Sequence, residues 1–152
     1  MRSFLILIAA GGSAAMLLAA LGFQYIGGLP PCDLCIEQRW PHLAAVVIGA
    51  LALLIRSRLL PWLGALAALT TSGLGLYHTG VERAWWEGPT TCTSAPVGNL
   101  SADQLFDKIM AAPLIRCDEV AWDFLGLSMA SWNAVGALIL ALIWIAAART
   151  KA

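Results

Sequence analysis

The chain has 152 residues, of which 60% are hydrophobic and 12% are charged, and its formal net charge is zero. Soluble domains carry about 25% charged residues, so this composition and the mean hydropathy of +0.78 exclude an ordinary soluble protein. They predict one integral membrane unit. The chain also lacks the basic stripe that nucleic-acid binding requires, and we expect no such partner.

Four segments without charged residues predict the helices, at residues 3–32, 40–55, 59–81 and 124–148. A helix of about 20 apolar residues spans the hydrocarbon core, and lipid offers no partner to backbone groups outside a helix or closed barrel. We therefore predict an all-α membrane protein, a single domain over residues 1–152 built as a four-transmembrane-helix bundle. The spans are expected at about 4–24, 36–55, 59–79 and 125–147, with loops at about 25–35 and 80–124.

The N-terminal run admits a second interpretation, because Arg2 followed by apolar residues is also typical of a cleaved signal peptide. The run is longer than the usual signal core of about 7 to 15 residues. Cleavage would also leave an odd number of spans with basic ends on opposite sides. The sequence therefore favours a retained first helix.

Small residues form a stripe on two of the predicted helices, where they allow a neighbouring backbone to approach closely. The stripes are Gly11, Ala15 and Ala19 in the first helix, and Gly64, Ala68 and Ser72 in the third. Both are expected to serve bundle packing.

The distribution of charge predicts the orientation in the membrane. All nine acidic residues lie in the two segments that also hold the four cysteines, whereas five basic residues have no acid nearby: Arg2, Arg56, Arg58, Arg149 and Lys151. Short basic segments stay in the cytoplasm. We expect a multi-pass protein of the bacterial inner membrane with both termini cytoplasmic and every cysteine in the periplasm, where disulfides persist.

The second periplasmic loop contains a predicted short helix at about residues 101–112. Residues 101–104 (SADQ) have the form of a capping box, and Pro113 ends the helix. Its apolar residues fall on one face, namely Leu105, Phe106, Ile109 and Met110. This amphipathic pattern predicts an interfacial helix on the membrane surface, while packing of the same face on protein remains an alternative.

Cys32 and Cys35 form a C-x-x-C pair at the start of the second predicted helix. A helix N-terminus and a nearby cation both favour the thiolate that attacks disulfides. Arg39 follows Cys35 by one helical turn and lies on the same face. A simpler role for Arg39 is snorkelling of its charge to the membrane surface.

Cys92 and Cys117 flank a loop outside the membrane, so a bridge between them is expected to be exposed and open to exchange with a soluble partner. A zinc site would need all four cysteines to converge, although the second pair has no C-x-x-C spacing. We therefore expect no metal. Inert structural bridges remain an alternative. In the absence of haem, flavin or metal motifs, a membrane quinone is the most compatible two-electron acceptor.

Two segments carry a resemblance to a known family. Residues 32–39 (CDLCIEQR) resemble the C-x-L-C-x-x-x-R signature of the DsbB family, membrane proteins that make disulfides using quinone. Residues 117–132 (CDEVAWDFLGLSMASW) are similar to the segment that leads from the family's last cysteine into its fourth helix. With the four spans and the order of the cysteines, the resemblance extends over nearly the whole chain.

The resemblance implies a role for each cysteine. Cys92 would attack and form the mixed disulfide with a periplasmic thioredoxin-fold partner similar to DsbA, and Cys117 would be its bridging mate. Cys35 would face the quinone, which is ubiquinone or menaquinone, and Cys32 would exchange with the loop pair.

Two further residues match positions of the family. Arg39 would lie beside the quinone, where its charge stabilises a developing oxyanion and the thiolate. His78, at the end of the third helix, would donate a hydrogen bond or a proton to quinol. Alternatively, His78 is a histidine at the membrane interface whose hydrogen bonds are satisfied and which has no role in the reaction.

The sequence therefore predicts a quinone-dependent thiol-disulfide oxidoreductase that re-oxidises a periplasmic dithiol carrier and supports protein disulfide formation. The alternative from a different class is a non-catalytic membrane scaffold with two static disulfides. Electron transfer in the opposite direction, which would make the protein a quinol-driven disulfide reductase, is disfavoured by the oxidising compartment.

Overall fold

The computed structural model of the chain describes residues 1–55, 57–90, 101–111 and 115–150. Five helices and one two-stranded ladder occur in these residues. They are α1 Arg2–Tyr25, α2 Asp33–Leu54, α3 Leu60–Glu82, α4 Ala102–Ala111, β1 Asp123–Phe124, β2 Leu127–Ser128 and α5 Met129–Arg149. The protein is thus almost wholly helical, as predicted.

The four long helices form a ring in the order α1, α2, α3 and α5. The short connections make sequence neighbours antiparallel. This direction is visible between α3 and α5, where Gly75 lies against Ala130 near one end and Gly64 lies against Trp144 near the other. As a result, the C-termini of α1 and α3 and the N-termini of α2 and α5 gather at one end of the bundle.

Trp144 of α5 fills the centre of the core and is fully buried. The predicted small stripe of α3 makes room for it, because a Cβ added at Gly64 would lie 2.6 Å from the Trp144 ring. Ala68 is fully buried, and Ser72 Oγ donates to the Ala134 carbonyl at 2.8 Å. The packing role of the α3 stripe is confirmed.

The expected packing role of the α1 stripe is wrong. Gly11, Ala15 and Ala19 are exposed on the outer face of the helix, and a Cβ at Gly11 would meet nothing within 4 Å. The face of α1 that packs inwards carries Ile6, Ala9 and Ser13 instead. Small-residue spacing alone therefore identified the wrong face.

The outer surface of the bundle is rich in large apolar side chains, with Leu18, Leu66 and Leu142 more than half exposed. Such a surface suits lipid rather than water. In the described residues, α1 and α5 have the length and apolar character needed to cross a membrane. The helices α2 and α3 carry more polar side chains, among which Gln38, His42 and His78 are buried. The count of four spans stays a prediction.

The start of α2 differs from the predicted one, because the helix begins at Asp33 and Cys32 is its N-cap. The Cys32 sulfur accepts a hydrogen bond from the Cys35 backbone N–H at 3.3 Å. A thiol is not among the residues that normally mark a helix start. This explains why the sequence placed the start later.

The last long helix begins at Met129, later than predicted, because the preceding residues form an antiparallel β-hairpin. Leu125 and Gly126 connect its two strands with φ angles of 53° and 75°. Ser128 then caps α5 by accepting a hydrogen bond from the Ser131 backbone N–H at 3.2 Å.

The short helix α4 has the predicted capping box. The Ser101 N–H donates to Gln104 Oε1 at 3.0 Å, and the Gln104 N–H donates to Ser101 Oγ at 3.3 Å. Phe106 and Met110 are exposed, which fits an amphipathic helix. Its position on a membrane surface stays a prediction.

Candidate functional site

A cavity of about 140 Å³ lies at the bundle end where the four helix termini gather. Its lining combines apolar side chains, such as Met16, Leu17 and Phe23, with several polar groups. The polar lining includes Cys32, Cys35, Arg39, His78 and Glu82. A closed cavity of about 150 Å³ in another protein holds a benzene molecule, so this cavity has room for one six-membered ring.

Cys32 and Cys35 are free thiols whose sulfurs lie 2.8 Å apart. Cys32 donates the hydrogen bond to Cys35, which favours negative charge on the Cys35 sulfur. Cys32 precedes the first residue of α2, and its hydrogen bond with Cys35 together with burial raises the pKa of its thiol well above the usual range. Cys35 is half-buried in the cavity wall, as expected for the more reactive thiol.

Arg39 lines the cavity and is held by a neutral side chain. Its Nη1 donates to Gln24 Oε1 of α1 at 2.6 Å, and it has no ion pair with the described residues. Because a carboxamide does not cancel the positive charge, Arg39 keeps both its charge and further N–H donors for a ligand.

His78 lies between the free thiol pair and Cys117. Its Nε2 lies 3.2 Å from the Cys117 carbonyl oxygen, 3.7 Å from Cys32 Sγ and 3.9 Å from Glu82 Oε1. On the other side of the ring, Nδ1 lies 2.9 Å from Gln38 Nε2. His78 is therefore buried within the site rather than exposed at an interface.

A chain of hydrogen bonds fixes the tautomer of His78. Asn133 Nδ2 donates to Gln38 Oε1 at 2.8 Å, so the Gln38 amide nitrogen is free to donate to His78 Nδ1. With Nδ1 acting as an acceptor, Nε2 carries the proton and donates to the Cys117 carbonyl. The proton of His78 thus faces the cysteines.

Sequence reasoning missed four polar residues of this site: Gln38, His42, Glu82 and Asn133. Gln38 and His42 follow Cys35 on the inward face of α2, and His42 Nε2 pairs with Asn133 Oδ1 at 2.9 Å. Glu82 accepts a short hydrogen bond from the Ser128 hydroxyl. The available signal was the presence of His42 and Asn133 inside runs that are otherwise apolar. Gln38 and Glu82 lie outside those runs and gave no such signal.

Cys117 occupies a different setting from the expected one. It is disulfide-bonded and completely buried, and it packs in one cluster with Cys32, Leu34 and Val81. The expectation of an exposed Cys117 is wrong, because the segment that carries it folds over the ends of α2 and α3. Cys92 lies outside the described residues, so its predicted role stays a prediction.

Trp122 ties the Cys117 segment to the bundle. Its ring lies 5.1 Å from that of Phe23 on α1 and stacks on Phe124 of the hairpin at 6.1 Å. Aromatic contacts of this kind add about 0.5 to 1.5 kcal/mol beyond the area that they bury. They hold the disulfide beside the free thiols.

Comparison with known proteins gives a consistent result. The model of the family "Disulfide bond formation protein DsbB" matches residues 2–147. A "Disulfide bond formation protein B" from Shewanella sp. (strain MR-4) is 36% identical over 150 residues, which cover 91% of this chain and 84% of that protein. One from Pasteurella multocida (strain Pm70) is 37% identical over 145 residues, covering 88% of this chain and 81% of that protein. No solved structure matches the chain significantly.

Proposed function

This chain belongs to the DsbB family of disulfide bond formation proteins, and on that premise we propose that it passes electrons from a thioredoxin-fold dithiol carrier to a membrane quinone. The observation that carries the proposal is the packing of disulfide-bonded Cys117 against the free thiol pair. Buried contact of a disulfide with two thiols is what exchange between them requires.

The cavity supports a quinone as the acceptor. Its volume fits one ring, its walls are mainly apolar, and both Cys35 and Arg39 line it. His42 contributes to the same wall, and its Nδ1 is a buried nitrogen without a hydrogen-bond partner among the described residues. A flat ring with oxygen atoms at its edge suits such a mixture of apolar and polar lining.

Each residue then has a defined part in the proposed reaction. Cys32 and Cys35 lose two electrons and two protons as they become a disulfide, and the quinone, when bound, accepts both electrons and both protons. Arg39 stabilises negative charge near Cys35, where the water-poor cavity strengthens the interaction. His78 holds a proton on Nε2 beside Cys32. The carrier dithiol reduces the disulfide of Cys117 to two thiols and is itself oxidised. These two thiols then reduce the Cys32–Cys35 disulfide and re-form their own disulfide.

We also propose that α1, α2, α3 and α5 all cross the bacterial inner membrane, with the thiol end in the periplasm. Arg2, Arg58 and Arg149, which have no ion pair among the described residues, lie at or near the opposite helix ends. Their position supports cytoplasmic termini. The burial of Gln38, His42 and His78 supports spanning by α2 and α3 as well, because these polar side chains would not contact lipid.

The test uses the purified protein reconstituted with a short-chain quinone and a reduced thioredoxin-fold protein. We expect Cys35→Ser and Cys92→Ser each to abolish quinone reduction by the carrier, because each removes one thiol of the series. Quinone absorbance measures the rate. Unchanged rates of quinone reduction in both variants would contradict the proposal. A scaffold with static disulfides would show no quinone reduction even in the unmodified protein.

Arg39→Gln separates ligand stabilisation from folding. We expect a fall in kcat/KM for quinone of about 100-fold or more, in the range found when one charge-stabilising group is removed, with carrier binding unchanged. Arg58→Gln is the matched control, since Arg58 is exposed at the opposite end. Equal loss of quinone use and carrier binding would show that Arg39 is structural.

A further inference from the structure

Three potential metal ligands converge in the site. Cys32 Sγ, Cys35 Sγ and His78 Nε2 all lie within 4.8 Å of one another, and they form the one such group in the described part of the chain. The zinc arrangement considered from the sequence required four cysteines. The structure instead brings a histidine from α3 to the C-x-x-C pair of α2.

The distances can be compared with those in a zinc site. Zn–S bonds of about 2.3 Å and Zn–N bonds of about 2.0 Å at tetrahedral angles place S and N about 3.6 Å apart and two sulfurs about 3.8 Å apart. The distance from Cys32 Sγ to His78 Nε2 is 3.7 Å, which already fits. The two sulfurs are 2.8 Å apart and must separate by about 1 Å, a movement open to the half-buried Cys35.

The surroundings supply the remaining parts of a metal site. The fourth position is open to a water molecule. Glu82, whose Oε1 lies 3.9 Å from His78 Nε2, lies outside the group of converging ligands and would have to move to reach it. Gln38 contacts the other ring nitrogen of His78 at 2.9 Å. In the metal-free site this amide nitrogen donates to Nδ1, so zinc at Nε2 requires the other tautomer of His78. The Gln38 amide must then rotate so that its oxygen accepts from Nδ1–H, which is the kind of partner that a metal-bound histidine regularly has.

We propose that the reduced Cys32–Cys35 pair and His78 form a binding site for Zn²⁺, which arrests the pair in its reduced state. Binding releases the two thiol protons, moves the His78 ring proton from Nε2 to Nδ1, and forms two Zn–S bonds and one Zn–N bond, with no change of oxidation state. Both sulfurs are then occupied, so neither can attack a disulfide. Oxidation to the Cys32–Cys35 disulfide removes both thiolate ligands and expels the ion.

The redox consequence follows by linkage, because Zn²⁺ binds only the reduced form. Each tenfold excess of free Zn²⁺ over its Kd raises the reduction potential of this pair by about 30 mV, the value of a tenfold change for a two-electron couple. Zinc in the periplasm would thereby slow disulfide formation at its membrane step.

The test is a titration of the detergent-purified full chain with Co²⁺, whose thiolate charge-transfer absorption reports Co–S bonds, followed by displacement with Zn²⁺. We expect one ion per reduced chain and no charge-transfer band for protein oxidised at Cys32 and Cys35. His78→Ala should weaken Zn²⁺ binding at least tenfold, since one of three ligands is lost. His42→Ala, which changes another histidine of the same cavity, should leave the Kd for Zn²⁺ within about twofold.

Equal Co²⁺ binding by the oxidised protein, or a spectrum without the sulfur band, would overturn the proposal. An unchanged Kd in a folded His78→Ala chain would do the same. If His78→Ala does not fold, the zinc dependence of the reduction potential in the unmodified protein decides, and a potential that is independent of Zn²⁺ refutes the site. The titration uses neither quinone nor carrier, so its outcome is separate from that of the proposed function.

Discussion

Gln38 is the central residue of the buried hydrogen bonds at the thiol end. It donates to the Leu34 carbonyl and to His78 Nδ1, and it accepts from Asn133. Its backbone carbonyl also accepts from the Thr71 hydroxyl at 2.9 Å. One amide thus joins α2, α3 and α5 and sets the direction of each bond.

Gln38→Leu is expected to destabilise the bundle by about 2 to 4 kcal/mol, because His78 Nδ1 and Asn133 Nδ2 each lose a buried partner. Thermal unfolding in detergent measures the loss. Glu37→Leu is the control on the neighbouring exposed position and should change little. Equal stability of the two variants would contradict the structural role assigned to Gln38.

Asp118 offers a prediction of pH dependence outside the membrane. Its hydrogen bonds to the Arg116 guanidinium, at 2.9 and 2.6 Å, hold the pKa of the carboxyl below its usual range. A carboxyl with a lowered pKa stabilises the folded state above its unfolded pKa of about 3.9. That contribution disappears as the pH falls through the lower folded pKa.

Arg116→Gln is therefore expected to raise the pKa of Asp118 towards the ordinary value, measured by a carboxyl-carbon NMR titration. Arg83→Gln, a change on another exposed arginine, should leave the Asp118 titration where it is. An Asp118 pKa that is the same with and without Arg116 would contradict the assigned cause.

At the scale of the helices, close packing depends on two glycines. A Cβ at Gly64 would lie 2.6 Å from the Trp144 ring, and one at Gly49 would lie 2.3 Å from the Ala10 Cβ. Neither ring nor backbone can move away without separating two helices. The first contact explains how α5 approaches α3 so closely, and the second explains the close approach of α2 to α1.

Gly64→Ala is expected to destabilise the bundle by about 1 to 3 kcal/mol through overpacking, as measured by thermal unfolding. Gly73→Ala on the same helix is the matched control. Nothing lies within 4 Å of its added Cβ, and alanine favours the helix by up to about 1 kcal/mol. The two variants should therefore shift stability in opposite directions, and a shared direction would refute the packing argument.

The elements that could be predicted from sequence are those specified by local patterns. Charge-free runs marked the four long helices, and SADQ marked the start of α4. The hairpin before α5 was missed because Leu125 adopts a positive φ that its residue type does not indicate. The position of Cys117 was missed for a different reason, since burial of a loop residue depends on contacts between distant segments.

The candidate site also combines residues that the local sequence places and residues that only the tertiary structure places. The C-x-x-C pair and Arg39 share one helix, so their proximity follows from spacing alone. His78 could be placed near them only through the resemblance, and Asn133 could not be placed at all, because it comes from α5. Convergence of three helices is a tertiary property that helical periodicity does not contain.

At the scale of the whole molecule, the antiparallel ring separates two chemically different ends. One end holds both free thiols, the buried Cys117 and the cavity. The other carries basic residues, with Arg2 donating to the Ser57 carbonyl across the connection of α2 and α3. In the proposed topology, this separation places the thiols on one side of the membrane and the basic residues on the other.

The two ends of the bundle lie on opposite sides of the membrane only if all four long helices cross it. Positions 57 and 87 distinguish four spans from two. If all four long helices cross, Ser57 is cytoplasmic and Glu87 is periplasmic. If only α1 and α5 cross, both positions face the periplasm, because α2 and α3 would then stay on that side. Ser57→Cys and Glu87→Cys, each in a chain whose native cysteines are changed to serine, report the difference. We expect a membrane-impermeant maleimide to label Glu87→Cys in intact spheroplasts and Ser57→Cys only after lysis, and labelling of both in intact spheroplasts would rule out the four-span bundle.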